Sequence, residues 1–225
     1  MTKQVMTPQE EALANAQTQT ETFFEKHSKM VVIAMIAIFA LAAVVFGYKK
    51  LVSEPRMNAA QEMLYKAQYN FEQQNCDIAL ALNGDENTPG FAQVVEQYGN
   101  TPAGNLANLY AAACSIRLGE FDAAEKYIAK YKNVKGTPGE IVNAMAAGLK
   151  GEIAVEKGDN AAAAAAFEAA AKVSDNNYTA PMYLRKAAQA YRAAGNDAKA
   201  QACLDILIDK YPATMEANEA LKLSK

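Results

Sequence analysis

The residues able to do chemistry are few and scattered. The chain has one histidine, His27, no tryptophan, and three cysteines, Cys76, Cys114 and Cys203. A single imidazole excludes every multi-histidine metal cluster and removes the usual general base. His27 stands just before a long apolar run, where an interfacial side chain explains it. The cysteines form no CxxC pair, and an odd number cannot all pair within one chain. Cys114 and Cys203 fall in alanine-rich helical segments, where small buried thiols are expected. Cys76 borders a loop and is the thiol whose exposure matters. Asp85 and Glu86 lie in the loop Asn83–Pro89, but the spaced acidic ligands and closing Glu of a calcium loop are missing. Phosphate-binding glycine loops, the Gly-x-Ser-x-Gly elbow and the His-Glu-x-x-His helix are absent. The expectation is a protein with no catalytic residues, no metal and no cofactor, and not an enzyme.

What positions these residues follows from length and composition. At 225 residues the chain accommodates one ordinary domain and an appendage. It is 51% hydrophobic and 21% charged with a net charge of −3, the balance of a globular protein. Beyond residue 50 there are 17 basic against 21 acidic residues. That part is mildly acidic, so nucleic acid is not an expected partner.

The strongest single signal is Met30–Tyr48, MVVIAMIAIFALAAVVFGY, nineteen residues without charge, proline, asparagine or glutamine. At roughly 1.5 Å per residue this run matches the ~30 Å hydrocarbon core of a bilayer. A soluble core helix would need a polar face that this run lacks. Ala40-Leu41-Ala42 has the small-x-small form of a signal cleavage site. The apolar run continues past it to Gly47, which favours an uncleaved anchor. A lipoprotein signal would need a cysteine just after the run, and the first is Cys76. Lys26 and Lys29 precede the span and Lys49, Lys50 and Arg56 follow it, so flanking charge does not set the orientation. Residues 1–29 read as a short polar tail, partly helical and too small to fold alone.

The remainder, residues 49–225, is expected to be all-α, because no segment alternates polar and apolar residues like a strand. Three glycine turns join alanine-rich helices: Leu118-Gly119-Glu120-Phe121, Lys157-Gly158-Asp159-Asn160 and Ala194-Gly195-Asn196-Asp197. The glycines lie 39 and 37 residues apart. Glycine supplies a left-handed turn, and Glu120, Asp159 or Asn196 can cap the next helix. This resembles the tetratricopeptide repeat. Ala112, Gly119-Glu120-Phe121 and Ala124 match its small-residue, turn and close-packing positions, with Tyr127 and Tyr131 following. Gly151, Ala154, Ala163, Phe167 and Ala170 match in the second unit, and Ala188, Tyr191, Ala200, Leu204 and Tyr211-Pro212 in the third. The departures are the missing signature tryptophan, Asn160 and Asp197 in place of the turn aromatic, and spacing beyond the standard 34 residues. Repeats are expected at about 103–132, 141–173 and 180–212. A degenerate first repeat over 56–99 carries an apolar stripe Met57, Leu64, Ala67, Phe71, then helices from Cys76 to Leu82 and Gly90 to Tyr98, interrupted by an insertion at 83–89. The alanines Ala161–Ala166 are expected to be helical.

The resemblance implies partner binding on a concave face lined by first-helix residues, here Leu109, Ala113, Ile116, Glu152, Glu156, Arg185, Gln189 and Arg192. The tail with Phe23-Phe24-Glu25-Lys26, the single span, and an interrupted repeat followed by Tyr98-Gly99-Asn100-Thr101-Pro102 together resemble the bacterial YfgM-like tetratricopeptide proteins. That resemblance implies a single-pass inner-membrane protein with a cytoplasmic N-terminus and a periplasmic repeat domain. It further implies a non-enzymatic adaptor of the SecYEG translocon whose repeats bind a periplasmic prolyl-isomerase-type chaperone or emerging secreted polypeptides. The same fold and anchor would also serve a membrane-tethered scaffold for envelope assembly or cell division.

Overall fold

The computed structural model describes residues 8–73 and 75–223; Met1–Thr7 of the expected tail and Ser224–Lys225 at the end of the expected repeat region lie outside the described residues. Among the described residues all regular structure is helical, the one β-type pairing being the isolated bridge Gly84–Pro89. The chain divides into two compact units, Met1–Pro55 and Arg56–Lys225.

In the first unit, α1 runs over Pro8–Tyr48, 41 residues. Proline suits a helix start, where its missing N–H has no partner to lose. The described part of the expected tail is therefore helical from Pro8 onward. None of the apolar stretch is buried, and Ile33, Phe39 and Phe46 are 67%, 74% and 69% exposed. A helix apolar on all sides and covered by no protein matches a hydrocarbon surrounding in both chemistry and length. It is long and apolar enough to cross a membrane. A π-helical turn, Lys49–Ser53, follows, closed by the Glu54 N–H donating to the Lys49 carbonyl, with Lys50 and Glu54 paired at 3.4 Å.

The second unit holds α2 (Glu54–Phe71), α3 (Ile78–Asn83), α4 (Phe91–Tyr98), α5 (Pro102–Arg117), α6 (Phe121–Lys130), α7 (Thr137–Glu156), α8 (Asn160–Lys172), α9 (Thr179–Ala193), α10 (Asp197–Lys210) and α11 (Met215–Leu223). Consecutive helices pack as pairs, α5 with α6, α7 with α8 and α9 with α10, while α7 touches both α5 and α9. The pairing is built by one turn used three times. Gly119, Gly158 and Gly195 have φ of 76°, 79° and 74°, a region costly for any residue with a Cβ. The residue after each glycine donates its N–H five residues back: Glu120 to Ser115 at 2.8 Å, Asp159 to Ala154 at 2.9 Å, Asn196 to Tyr191 at 2.8 Å. These are Schellman closures, which satisfy carbonyls that a helix end leaves open. Asp159 and Asn196 then cap the next helix, accepting from the N–H of Ala162 at 2.9 Å and Lys199 at 3.1 Å. Glu120, expected to cap likewise, makes no side-chain cap bond; its side chain is one methylene longer than the Asp and Asn that do.

Three apolar clusters fill the unit in chain order. The first joins α2, α3, α4 and α5 through Ala60, Leu64, Leu82, Phe91, Val94 and Ala107. The second joins α5, α6 and α7 through Leu109, Ala124, Ile128 and Ile153. The third joins α7 to α11 through Phe167, Tyr183, Leu184, Leu204 and Leu207. On α2 the inward stripe is Ala60, Leu64, Ala67 and Phe71 rather than one starting at Met57, which is exposed. The α3 helix begins after Cys76 because Asp77 caps it, accepting from Ala79 at 2.9 Å and Leu80 at 3.1 Å. Likewise Gly90 is the cap of α4 rather than its first residue.

Close approach of α7 to its neighbours depends on two glycines. A Cβ on Gly148 would overlap the Tyr183 ring of α9, and one on Gly151 would lie 2.6 Å from the Phe167 ring of α8. Those two rings stack, with centroids 6.3 Å apart. The chain does not stop at Pro212. Thr214 opens α11, whose Ala217 and Ala220 are buried, and α11 packs on α9 and α10.

Candidate partner-binding groove

The helices α5, α7 and α9 present side chains to one open groove of about 400 Å³. Ile116 comes from the last turn of α5, Glu152, Val155 and Glu156 from α7, and Lys186 and Gln189 from α9. The spacings 152, 155, 156 and 186, 189, 190, 193 are i, i+3, i+4 and i, i+3, i+4, i+7, which place each set on one helix face. Phe167 and Ala190 also line it, and both are largely buried.

The groove has a fixed polar centre and free polar edges. The Lys186 ammonium pairs with the Glu152 carboxylate, and it also lies 5.5 Å from the Phe167 ring centroid and 6.0 Å from that of Tyr183. An ammonium over ring faces gains cation–π attraction in addition to its ion pair. Burial, with the Glu152 charge adding to it, raises the Tyr183 hydroxyl well above the ordinary phenol range. Glu156 and Gln189 are exposed and have no side-chain partner among the described residues, so their polar atoms are available to a ligand. Val155, 43% exposed, adds an apolar contact between them. Such a surface suits reversible contact with polypeptide through apolar side chains and backbone amides.

A second cavity of about 520 Å³ lies between α6, α7 and α8. Its edge is tied by Lys157, which reaches Asp122 at 3.0 Å and Glu125 at 2.9 Å. Hydrogen bonds to the two carboxylates, Glu125 first, raise the Lys157 pKa.

Of the eight residues expected on the binding face, Ile116, Glu152, Glu156 and Gln189 meet in the first groove. Leu109 does not belong to any surface: it is 4% exposed and packs in the middle cluster. Ile116, two helical turns further on and on nearly the same face of α5, packs only partly against that cluster and reaches the groove. Ala113 is half-buried and Arg192 is exposed, and neither lines the groove. Arg185 turns toward α11, its Nε 3.8 Å from Glu219. Val155, Phe167, Lys186 and Ala190 were not foreseen. Helical spacing from Glu152 and Gln189 would have found Val155 and Lys186, and from Lys186 Ala190 at i+4, whereas Phe167 belongs to a second helix.

The remaining candidates have structural roles. The Asp85 carboxylate accepts from the N–H of Asn87 at 2.8 Å and of Thr88 at 2.6 Å. Those bonds lower its pKa and hold the 83–89 loop in shape. Among the described residues no group of three His, Cys, Asp or Glu side chains converges as metal ligands would. Burial pushes the Cys114 thiol up to about 12 and the Cys203 thiol up to about 11, so both are thiols rather than nucleophilic thiolates at neutral pH. Compared with known proteins, the chain matches no family model, no curated protein and no solved structure.

Proposed function

We propose that the protein is a membrane-anchored, non-enzymatic adaptor in which α1 spans the inner membrane and α5–α10 act as a tetratricopeptide-like solenoid that holds a polypeptide partner. The observation that carries this reading is the open groove on α5, α7 and α9, with exposed Val155 and half-buried Ile116 beside unpartnered Glu156 and Gln189. The three identical glycine closures support the repeat reading, because repeats that stack only on their neighbours leave a continuous face for binding. The apolar α1 supports the anchor.

The tail, span and Tyr98-Gly99-Asn100-Thr101-Pro102 segment resemble the YfgM-like proteins. On that resemblance the N-terminus is cytoplasmic, the second unit is periplasmic, and the partners are the SecYEG translocon with a prolyl-isomerase-type chaperone or an emerging secreted polypeptide. Crosslinking in native membranes, followed by mild-detergent purification of the full-length protein and mass spectrometry, tests this. Translocon subunits and a periplasmic chaperone should dominate the retained proteins. Substituting Val155→Asp together with Glu156→Lys should reduce chaperone recovery about tenfold, the equivalent of ~1.4 kcal/mol, with the melting temperature unchanged. Dominance by division or envelope-assembly proteins would replace the adaptor with a tethered scaffold.

A further inference from the structure

Two of the three thiols share one cluster. Cys114, on α5, is fully buried among Leu64, Ala67, Phe91 and Ala111, and Cys76 packs against the same cluster from the non-helical stretch before α3. Arg117, one turn beyond Cys114, lies with its guanidinium 4.9 Å from the centre of the Phe71 ring, and Phe71 is itself packed against that cluster. Cys203 belongs to the separate C-terminal cluster. The three cysteines therefore divide into two that share the α2–α5 cluster and one that lies in another, a division that their spacing in the chain does not reveal.

We propose that Cys76 and Cys114 are a redox-active pair that closes a reversible disulfide when the protein meets a disulfide oxidant. The chemistry is two thiol–disulfide exchanges. The Cys76 thiol gives up its proton, and its sulfur attacks a disulfide RSSR, forming a mixed disulfide and releasing one RS⁻. The Cys114 sulfur then attacks Sγ of Cys76, losing its proton as it does so, which forms the protein disulfide and expels the second RS⁻; the two released RS⁻ take up the two thiol protons. Two protein thiols are oxidised by two electrons, and RSSR is reduced to two RSH.

The order of attack follows from access. Cys76 is half-buried and can be reached from solvent, whereas Cys114 has no exposed surface. Burial raises the pKa of both thiols and the Arg117 charge opposes it at both. A disulfide needs Cα atoms within about 7 Å. Cys76 is the partner free to adjust, since its residue lies outside any helix and its N–H bonds only to the nearby Gln73 carbonyl at 3.1 Å. The closed bond would tie the start of α3 to α5 across the insertion.

The test uses full-length protein in detergent micelles, equilibrated with oxidised glutathione, quenched with acid, denatured and alkylated. The expected result is one alkylated thiol, Cys203, and a peptide linking Cys76 to Cys114. The melting temperature should rise by roughly 5–15 °C on oxidation and fall back with dithiothreitol. Cys203→Ser should keep the linked peptide and Cys76→Ser, at a half-buried site that tolerates the change, should lose it and the thermal shift together. Three alkylated thiols after oxidation, a glutathione adduct that stays on Cys76, or a linked peptide containing Cys203 would each overturn the proposal. None of these outcomes depends on which partner the groove binds.

Discussion

The two ends of the second unit reach the same burial by opposite means. In the α2–α5 core, large meets large. Phe91 stacks on Tyr110 at 4.8 Å, and Phe71 meets both edge-on at 5.6 Å and 5.7 Å. In the α7–α11 core, large meets small. Tyr183 rests on Gly148 and Phe167 on Gly151, and alanines at positions 144, 163, 164, 170, 180 and 187 leave the helices close together. The first arrangement is vulnerable to losing atoms, the second to gaining them. The C-terminal core also carries two tyrosine hydroxyl ties. The Tyr191 hydroxyl donates to Glu168 at 2.6 Å and the Tyr211 hydroxyl to Asp175 at 2.7 Å.

Deleting the aromatic centre should have the largest effect. Phe91→Ala should cost about 3–5 kcal/mol in denaturant unfolding, while Phe167→Leu, against a glycine that lets the smaller side chain settle, should cost less than half as much. Equal losses at the two sites would remove the distinction. Adding atoms should reverse the ranking. Gly148→Ala and Ala163→Leu should each cost about 1–3 kcal/mol, because the Tyr183 ring and the facing helices must move. An added methyl at half-buried Ala92, on the aromatic side, should cost under about 0.5 kcal/mol.

The smallest effect is the one with a pH signature. Tyr191→Phe should cost about 1 kcal/mol near neutrality. Hydrogen bonds from Lys172 and Tyr191 hold the Glu168 pKa below its usual 4.5. A depressed carboxylate contributes stability above its unfolded pKa and loses it as pH falls through the folded value. The hydrogen bond to Glu168 raises the Tyr191 pKa from 10 to about 12, so its contribution is complete below pH 10 and lost as pH rises through about 12. The wild-type advantage over Tyr191→Phe should therefore be flat between those limits and shrink at both ends, as guanidinium melts at a series of pH values would show. An advantage independent of pH would mean that Tyr191 acts through packing alone.

The turns were the most legible part of this architecture. Gly119, Gly158 and Gly195 are spaced like a repeat, and a left-handed residue at a helix end is a local requirement written in local residues. The aromatic and glycine partners were not. Gly148 looks like a helix weakness until Tyr183, 35 residues later, arrives to occupy the space its missing side chain leaves. Depth along a helix was the other gap. Leu109 and Ile116 are two turns apart on nearly one face of α5, yet the first is covered by neighbouring helices and the second, in the last turn, reaches the groove, a difference set by where the neighbouring helices lie rather than by local sequence. Tyr211-Pro212 reads as the close of the last repeat, and the helix beyond it carries no repeat signal: Thr214, two residues later, starts α11 with its hydroxyl accepting from Ala217 at 3.3 Å.

The three short glycine closures also bear on how the chain acquires its shape. Each hairpin joins helices separated by only a few residues, and the strongest packing is between neighbours in sequence. Little loop entropy is lost before contact is made, which is the condition for rapid assembly. A hairpin of some thirty residues can close as soon as it is released, and the next can add to it without disturbing it. The chain can thus acquire its structure in the order in which it is synthesised, with α11 sealing the far end last.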